Sequence, residues 1–405
     1  MSALVESLTR PRRTRGMALL WFAAGLAFAL VIAVFLVKQD GSDFGPVWNA
    51  ADALLAGGSP YLDNPRFVYP PSTLPLVSPL GLLGHDAAHA LYLVADAAAI
   101  VAAGLFCLRT FGVSLRSPAA PLLVLVLTAF APVDTTLHLG NVNGFIVAGG
   151  AAFLLAASRG HWHLGGWLLG LTLALKPILA PVLLLPLLFR QWGALARAIV
   201  LPAGLLGAAL LLAPKSADFF EGRASFYTDP HAGPSLDSNV ALGGVLDALG
   251  SPAVLTLALR ALVVAACAYL IWMLFTNRAA DRVGRLVDIY GVAMLGAFLV
   301  HTLSLNYYAL YLLPVLVAVV LGRSAMRWWG AAAGVFLFGS PDVFLWRAIW
   351  REDGALAQDL STLRVTAGLL VVLAAYLVAL RPGSRERALL AAAVAPLRRR
   401  APAVR

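Results

Sequence analysis

Charge is what this sequence has least of. Only 12% of its 405 residues are Asp, Glu, Lys or Arg, while 60% are hydrophobic and the mean hydropathy is +0.84. A soluble domain carries about a quarter charged residues. So little polar surface cannot coat a water-soluble particle of this length, which excludes the soluble globular classes. Cysteine is nearly absent too: Cys107 and Cys267 both sit inside apolar runs. A disulfide framework is excluded, and both read as small buried hydrophobes. There is no Walker-type loop, Rossmann fingerprint or Gly-x-Ser-x-Gly elbow, so cytosolic nucleotide chemistry has no support. Nor is there a clear short-period repeat, a low-complexity tract or a soluble domain.

What the sequence does have is long apolar stretches, near 17–37, 88–108, 118–133, 142–158, 162–175, 177–189, 198–213, 252–275, 286–301, 307–321, 328–341 and 363–380. Hydrocarbon offers no partner for backbone amides, so each must be helical. The expectation is an all-α polytopic membrane protein of about twelve spans, several shorter than the ~20 residues of a full crossing. The run 17–37 is as long as a span and has no clear cleavage site after it, so it reads as a retained helix and not a signal peptide. The formal net charge of +10 is a topology signal. Arginines precede the first apolar run, follow the last and punctuate alternate loops, a pattern that leaves no basic face for nucleic acid. Both ends are then cytoplasmic: a basic N-terminus, 1–16, and a basic tail, 381–405, flank one transmembrane domain, 17–380. The extracytoplasmic loops fall at about 38–87, 134–141, 214–251 and 342–362. The proline-rich run 71–84 reads as re-entrant or surface-lying. Substantial polar outer loops favour a membrane enzyme with an outward-facing site.

Four polar clusters lie on that outer face. Asp43 sits at the start of a short amphipathic helix, Phe44 to Leu55, and reads either as its N-cap or as a general base held at the membrane face. Lys176-Pro177 interrupts an apolar stretch. It reads as a lysine snorkelling at a helix end, or as a cation for a lipid phosphate. His138, Asn141 and Asn143 open another span, either capping that helix or reading sugar hydroxyls. Asn306, Tyr307 and Tyr308 open a further one, where tyrosine is commonly a belt residue. His85 and His89 have metal-compatible i,i+4 spacing but no third ligand, so no metal site is assigned.

These pieces resemble a known family. Ser42-Asp43-Phe44 with Pro46-Val47, Gly58-Ser59-Pro60-Tyr61, Tyr69-Pro70-Pro71, Asn141-Val142-Asn143-Gly144, Leu175-Lys176-Pro177 and Asn306-Tyr307-Tyr308 with Pro314 occur in an order similar to that of the GT-C-class membrane glycosyltransferases of actinobacteria that use polyprenyl-phosphate sugars. The Asp-Phe-x-Pro-Val start, the Asn-x-Asn-Gly turn and the stretch around Lys176 resemble the α-1,3-branching arabinofuranosyltransferases more than the mannosyltransferases. The resemblance implies a GT-C-like bundle in the plasma membrane. It also implies an inverting transferase with a decaprenyl-phosphate arabinofuranose donor and an arabinan or lipoglycan acceptor, in arabinogalactan or lipoarabinomannan synthesis. Asp43 is then the base, Lys176 the donor-phosphate ligand, and Tyr61, Tyr69, His138, Asn141, Asn143, Asn306 and Tyr308 line the sugar pocket. No cofactor is implied; divalent ions serve some enzymes of this class, but no ligand cluster is visible here. Relatives carry a histidine near the span that begins at Asn306, and His301 lies close by. The alternatives are a polyprenyl-phosphate-mannose-dependent mannosyltransferase, and a transporter or flippase for a lipid-linked sugar with the same polar groups along a through-path.

Overall fold

The computed structural model describes residues 2–12, 14–38, 41–62, 64–224, 239–277, 281–326, 328–340 and 354–380. Much of the expected 214–251 and 342–362 loops, and the whole 381–405 tail, lie outside these residues. The chain opens with α1 (Ser2–Thr9) and α2 (Arg15–Lys38), then turns into α3 (Phe44–Leu55). A 3-10 turn (Pro71–Thr73), α4 (Leu74–Val77) and a second 3-10 stretch (Ser78–Leu82) lead to α5 (His85–Thr110). Next come α6 (Ala119–Thr128), α7 (Ala131–Leu139), α8 (Asn143–Ser158) and α9 (Trp162–Leu175). After a 3-10 stretch (Pro177–Leu183) the chain forms α10 (Leu184–Leu188), α11 (Trp192–Leu212), a turn at Pro214–Ala217 and α12 (Asp218–Gly222). Then follow α13 (Leu242–Ala248), α14 (Ala253–Thr276) and α15 (Arg282–Val300). A 3-10 stretch (Asn306–Leu312), α16 (Leu313–Val320), α17 (Trp328–Gly339) and α18 (Gly354–Ala379) complete the order.

All regular structure among the described residues is helical. Among the described residues six helices are long and apolar enough to cross a membrane: α2, α5, α11, α14, α15 and the Leu360–Ala379 part of α18. α6 and α7 make a seventh if their 61° bend is counted within one span, and five shorter apolar stretches accompany them. The protein is therefore a multi-pass membrane protein. Leu19 and Phe22 of α2, Leu211 and Leu212 of α11, and Val254 and Leu257 of α14 are exposed, as a lipid-facing surface requires. The interior is built from α5 on α8, α8 on α9, α9 on α11 and α14 on α15.

Two sequence boundaries move, at 134 and at 363, the latter because α18 already begins at Gly354. The stretch expected as a loop from 134 is helical to Leu139: Pro132 enters the first turn of α7, and Gly140 ends it in the left-handed region at φ 65°. The 71–84 run forms only short turns that pack on α3 and α11, so it does not cross.

One helix break organises the site. Pro177 has no N–H and disfavours a helical residue before it. Lys176 is accordingly extended, at φ −158° and ψ 121°, and α9 stops. Its last carbonyls need donors from outside the helix. The Ser72 hydroxyl donates to Ala174 O at 2.8 Å, and the Thr73 hydroxyl reaches Ala174 O at 3.1 Å and Leu175 O at 2.9 Å. Pro71-Ser72-Thr73 is thus a buried plug for the Lys-Pro break. At the far end of α15, Asp288 accepts from Ser324 Oγ at 2.6 Å, Tyr376 Oη at 2.8 Å and Ala325 N at 2.7 Å, tying α15 to α18.

Removing both hydroxyls (Ser72→Ala with Thr73→Val) leaves the α9 carbonyls without donors. An unsatisfied buried group costs roughly 1–3 kcal/mol. The double variant is expected to unfold at lower denaturant in micelles, and its loss should exceed that of either single change. Equal stability of the double variant and the wild type would contradict the plug.

Candidate active site

Asp43 occupies the N-cap position of α3 but makes no side-chain cap hydrogen bond, its backbone sitting in the helical region at φ −92°. Capping therefore does not account for the carboxylate. Its backbone is held instead: Asp43 N donates to Leu139 O at 2.9 Å, and Phe44 N and Gly45 N both donate to Gly41 O. Gly140 follows directly, and a Cβ there would press to 3.0 Å on the Phe44 Cβ. The loop after α2 and the α7–α8 turn are thereby locked edge to edge.

The Asn141–Asn143 turn supplies the next layer. Asn141 Oδ1 accepts from Asn143 N at 3.0 Å and from Asn143 Nδ2, so its oxygen does the capping at the head of α8. Asn143 Oδ1 accepts from the Tyr311 hydroxyl and, at a long 3.5 Å, from Lys176 Nζ. Asn141 Nδ2 is buried without a well-formed hydrogen bond, yet its amide still favours the Asp43 carboxylate. Both asparagines are fully buried.

Lys176 does not snorkel away. Its ammonium lies 4.6 Å from the Tyr308 ring centre and 5.9 Å from that of Tyr69. Such cation–π contacts contribute about 0.5–2 kcal/mol, enough to orient a flexible side chain. An ammonium has three N–H donors. Only the weak bond to Asn143 uses one among the described residues, which leaves donors for an anion. The 3-10 geometry explains the aromatic wall: three residues per turn put Tyr308 and Tyr311 on one face, their rings 5.8 Å apart.

Burial raises the Asp43 pKa above the ordinary carboxylate value, while Lys176, the Asn141 side chain and Arg66, in that order, pull it down. Desolvation outweighs the three opposing groups, so the net shift is upward.

The structure brings together Asp43, Asn141, Asn143, Lys176, Tyr69 and Tyr308. Tyr61 stands behind them: it is buried, its hydroxyl donates to Tyr69 O at 3.0 Å, and its ring packs on Phe67 and Phe219. His138 packs edge-on against Phe35 of α2 at 5.9 Å and lies near Asp134. Asn306 is half-buried at the start of its 3-10 stretch. His85 and His89 stack 6.3 Å apart over Phe44, and among the described residues no cluster of three or more potential ligands could hold a metal.

Sequence reasoning missed Tyr311, Arg66 and Asp96. The i,i+3 spacing of Tyr308 and Tyr311 was the available signal for the first. Arg66 is a lone loop cation whose proximity only folding shows. Asp96 is a buried carboxylate inside α5, against the Gly144–Phe145 backbone at the head of α8. A charge within a span was its signal.

Comparison with known proteins bears directly on this arrangement. The model of glycosyltransferase family 87 matches residues 67–302. The chain belongs to glycosyltransferase family 87. It is 35% identical over 337 residues to an alpha-(1->3)-arabinofuranosyltransferase of Mycobacterium tuberculosis, covering 80% of this chain and 77% of the relative. A protein of the same name from Mycolicibacterium smegmatis is 33% identical over 315 residues, 75% and 72% of the two chains. One from Corynebacterium glutamicum is 28% identical over 380 residues, 90% and 89%. The family-87 chain is thus a membrane glycosyltransferase. The matched region contains Tyr69, the two asparagines and Lys176, whereas Asp43 and Tyr308 lie outside it.

A base must be ionised, so a raised pKa moves the acid limb of activity to higher pH than an ordinary aspartate gives. Removing a cation that stabilises the carboxylate moves it further up. Lys176→Met should shift the acid limb of kcat upward, and Arg66→Gln should shift it by less. Limbs that stay in place or move down would contradict this electrostatic account.

Proposed function

We propose that this family-87 enzyme transfers arabinofuranose, with inversion, from decaprenyl-phosphate arabinofuranose to an arabinan acceptor. The new bond is an α-1,3 branch, in arabinogalactan or lipoarabinomannan. One observation carries the catalytic part: a half-buried carboxylate at a helix start, spared from capping, within the field of an ammonium fixed on two tyrosine rings. The names of the relatives support the sugar and the linkage.

In this reading Asp43 removes the proton of the acceptor hydroxyl as its oxygen attacks the anomeric carbon. The bond from that carbon to the phosphate oxygen breaks, and its electron pair leaves with decaprenyl phosphate. Lys176 balances the charge that grows on the departing phosphate. The protonated Asp43 then returns its proton to solvent. Asn141 Nδ2 and Asn143 orient hydroxyls, and Tyr69 and Tyr308 form the apolar wall of the sugar site.

The side of the membrane belongs to the same proposal. The six long helices, the bent α6–α7 pair and the five shorter apolar stretches are read as about twelve crossings. The arginine pattern then places the N-terminus in the cytoplasm and Asp43 on the extracytoplasmic face of the plasma membrane. A transporter would spread its polar groups along a path. Here Asp43, Asn143 and Lys176 gather at one point, which favours the transferase.

The test supplies purified protein with decaprenyl-phosphate arabinofuranose, or with a polyprenyl-phosphate mannose, and a short arabinan acceptor. Arabinose transfer is expected. It should fall by about 10²–10⁴-fold in Asp43→Asn, the range of a general base, with the fold retained. Mannose-only transfer would overturn the donor, and full activity of Asp43→Asn would overturn the base.

A further inference from the structure

An apolar groove of about 730 Å3 lies between the Pro177–Leu188 segment, α14 and α15. This is within the size range of a small-molecule or cofactor site. Leu184 and Leu188 form one wall, Val264, Ala268 and Ile271 of α14 a second, and Ala297 and Val300 of α15 the third. Each wall leads back, at one end of the groove, to a basic residue. Lys176 stands four residues before Ala180, where the first wall begins. His301 directly follows Val300. Arg260 stands four, eight and eleven residues before the α14 lining, on the same helical stripe. Two of these ends touch, Arg260 Nη2 reaching His301 O at 3.4 Å, and Lys176 lies within electrostatic reach of the same histidine.

Arg260 is the residue that nothing so far explains. It is the one charged side chain in α14, a helix otherwise apolar from Ala253 to Thr276. A charge inside a span marks a function unless its head reaches water. This guanidinium is half-enclosed instead. Its Nη2 donates to His301 O at a long 3.4 Å, and its Nε is buried without an acceptor. The head lies against Gly243 of α13, where any Cβ would collide with it. No carboxylate among the described residues pairs with it. A partly desolvated cation with one weak bond and no counter-ion among the described residues is built for an anion, and an arginine can grip two phosphate oxygens at once.

The geometry points to Arg260 as a second ligand of the donor's phosphate, beside Lys176, with the polyprenyl tail seated in the groove that starts at these residues. The inference rests on the lipid-phosphate donor proposed above and adds to it a residue and a tail path. An amphiphile with one anionic head and one long apolar chain matches a groove that is carbon-lined along its length and cationic at one end. A free phosphate would use the head site alone, and an uncharged prenol the groove alone.

Native mass spectrometry of the full-length protein in detergent separates these cases, with decaprenyl phosphate, decaprenol and inorganic phosphate as probes. Arg260→Gln should weaken decaprenyl phosphate binding at least tenfold and leave decaprenol unchanged. Arg260→Lys, which keeps the charge, should lose less. Ala297→Phe, which fills the groove, should weaken both lipids. If Arg260→Gln binds decaprenyl phosphate as tightly as wild type while Lys176→Met does not, the Arg260 assignment is wrong and the donor reading stands. Equal weakening of decaprenol by Arg260→Gln would also overturn it, marking the arginine as structural. A wild-type protein that prefers decaprenol to its phosphate would overturn both.

Discussion

The interruption of α9 at Lys176-Pro177 is the constraint on which the rest of the site depends. A proline inside an apolar run removes one backbone donor and forces the preceding residue out of the helix. The chain cannot leave the released carbonyls bare in an apolar interior. Ser72 and Thr73 supply the donors, which brings the Tyr69–Pro71 segment to the break. The same extended backbone at residue 176 turns the ammonium toward Tyr69, Tyr308 and Asn143. Two motifs a hundred residues apart are therefore one structural unit.

Facing it is a carboxylate whose local duties are taken by others. Asn141 caps the head of α8 through its oxygen, and the backbone of Asp43 is held by Leu139. The side chain of Asp43 is left to the balance between burial, which favours its proton, and Lys176, Asn141 and Arg66, which oppose it. In the proposed reaction, a partly desolvated base under the influence of a fixed cation suits a neutral hydroxyl nucleophile and a phosphate leaving group. The proposed roles need opposite charges, and Asp43 and Lys176, which influence one another electrostatically, come from segments before and after the α7–α8 turn.

Much of this was legible in the sequence. The scarcity of charge and the apolar runs gave an all-helical membrane protein, and the Lys-Pro step marked its break. Asp43, Asn141, Asn143, Lys176, Tyr69 and Tyr308 were each visible as polar or aromatic residues at span ends. What spacing could not decide was which alternative each would take. Asp43 stands at a cap position yet does not cap, a fact of one dihedral and one absent bond. Tyr61 carries the same residue type as Tyr69 but spends its hydroxyl on the neighbouring backbone. His138 shares a turn with Asn141, but helix continuation to Leu139 rotates it onto Phe35. Asp96 and Arg260 were not legible because each is the single charge of its apolar run, 88–108 and 252–275, and only tertiary packing shows what lies beside it. Helix ends at 139 and 354 were misjudged where the apolar pattern and the hydrogen-bonded helix do not coincide.

The central claim is that one site places a lipid phosphate on Lys176 with Asp43 poised over the sugar. The most direct measurement is an experimental structure of Asp43→Asn with decaprenyl-phosphate arabinofuranose bound. The account predicts a phosphate oxygen within about 3 Å of Lys176 Nζ, the charge-assisted hydrogen-bond range. It places the residue-43 side chain on the side of the anomeric carbon away from the phosphate. A phosphate bound elsewhere, or residue 43 on the same side as the leaving group, would contradict it.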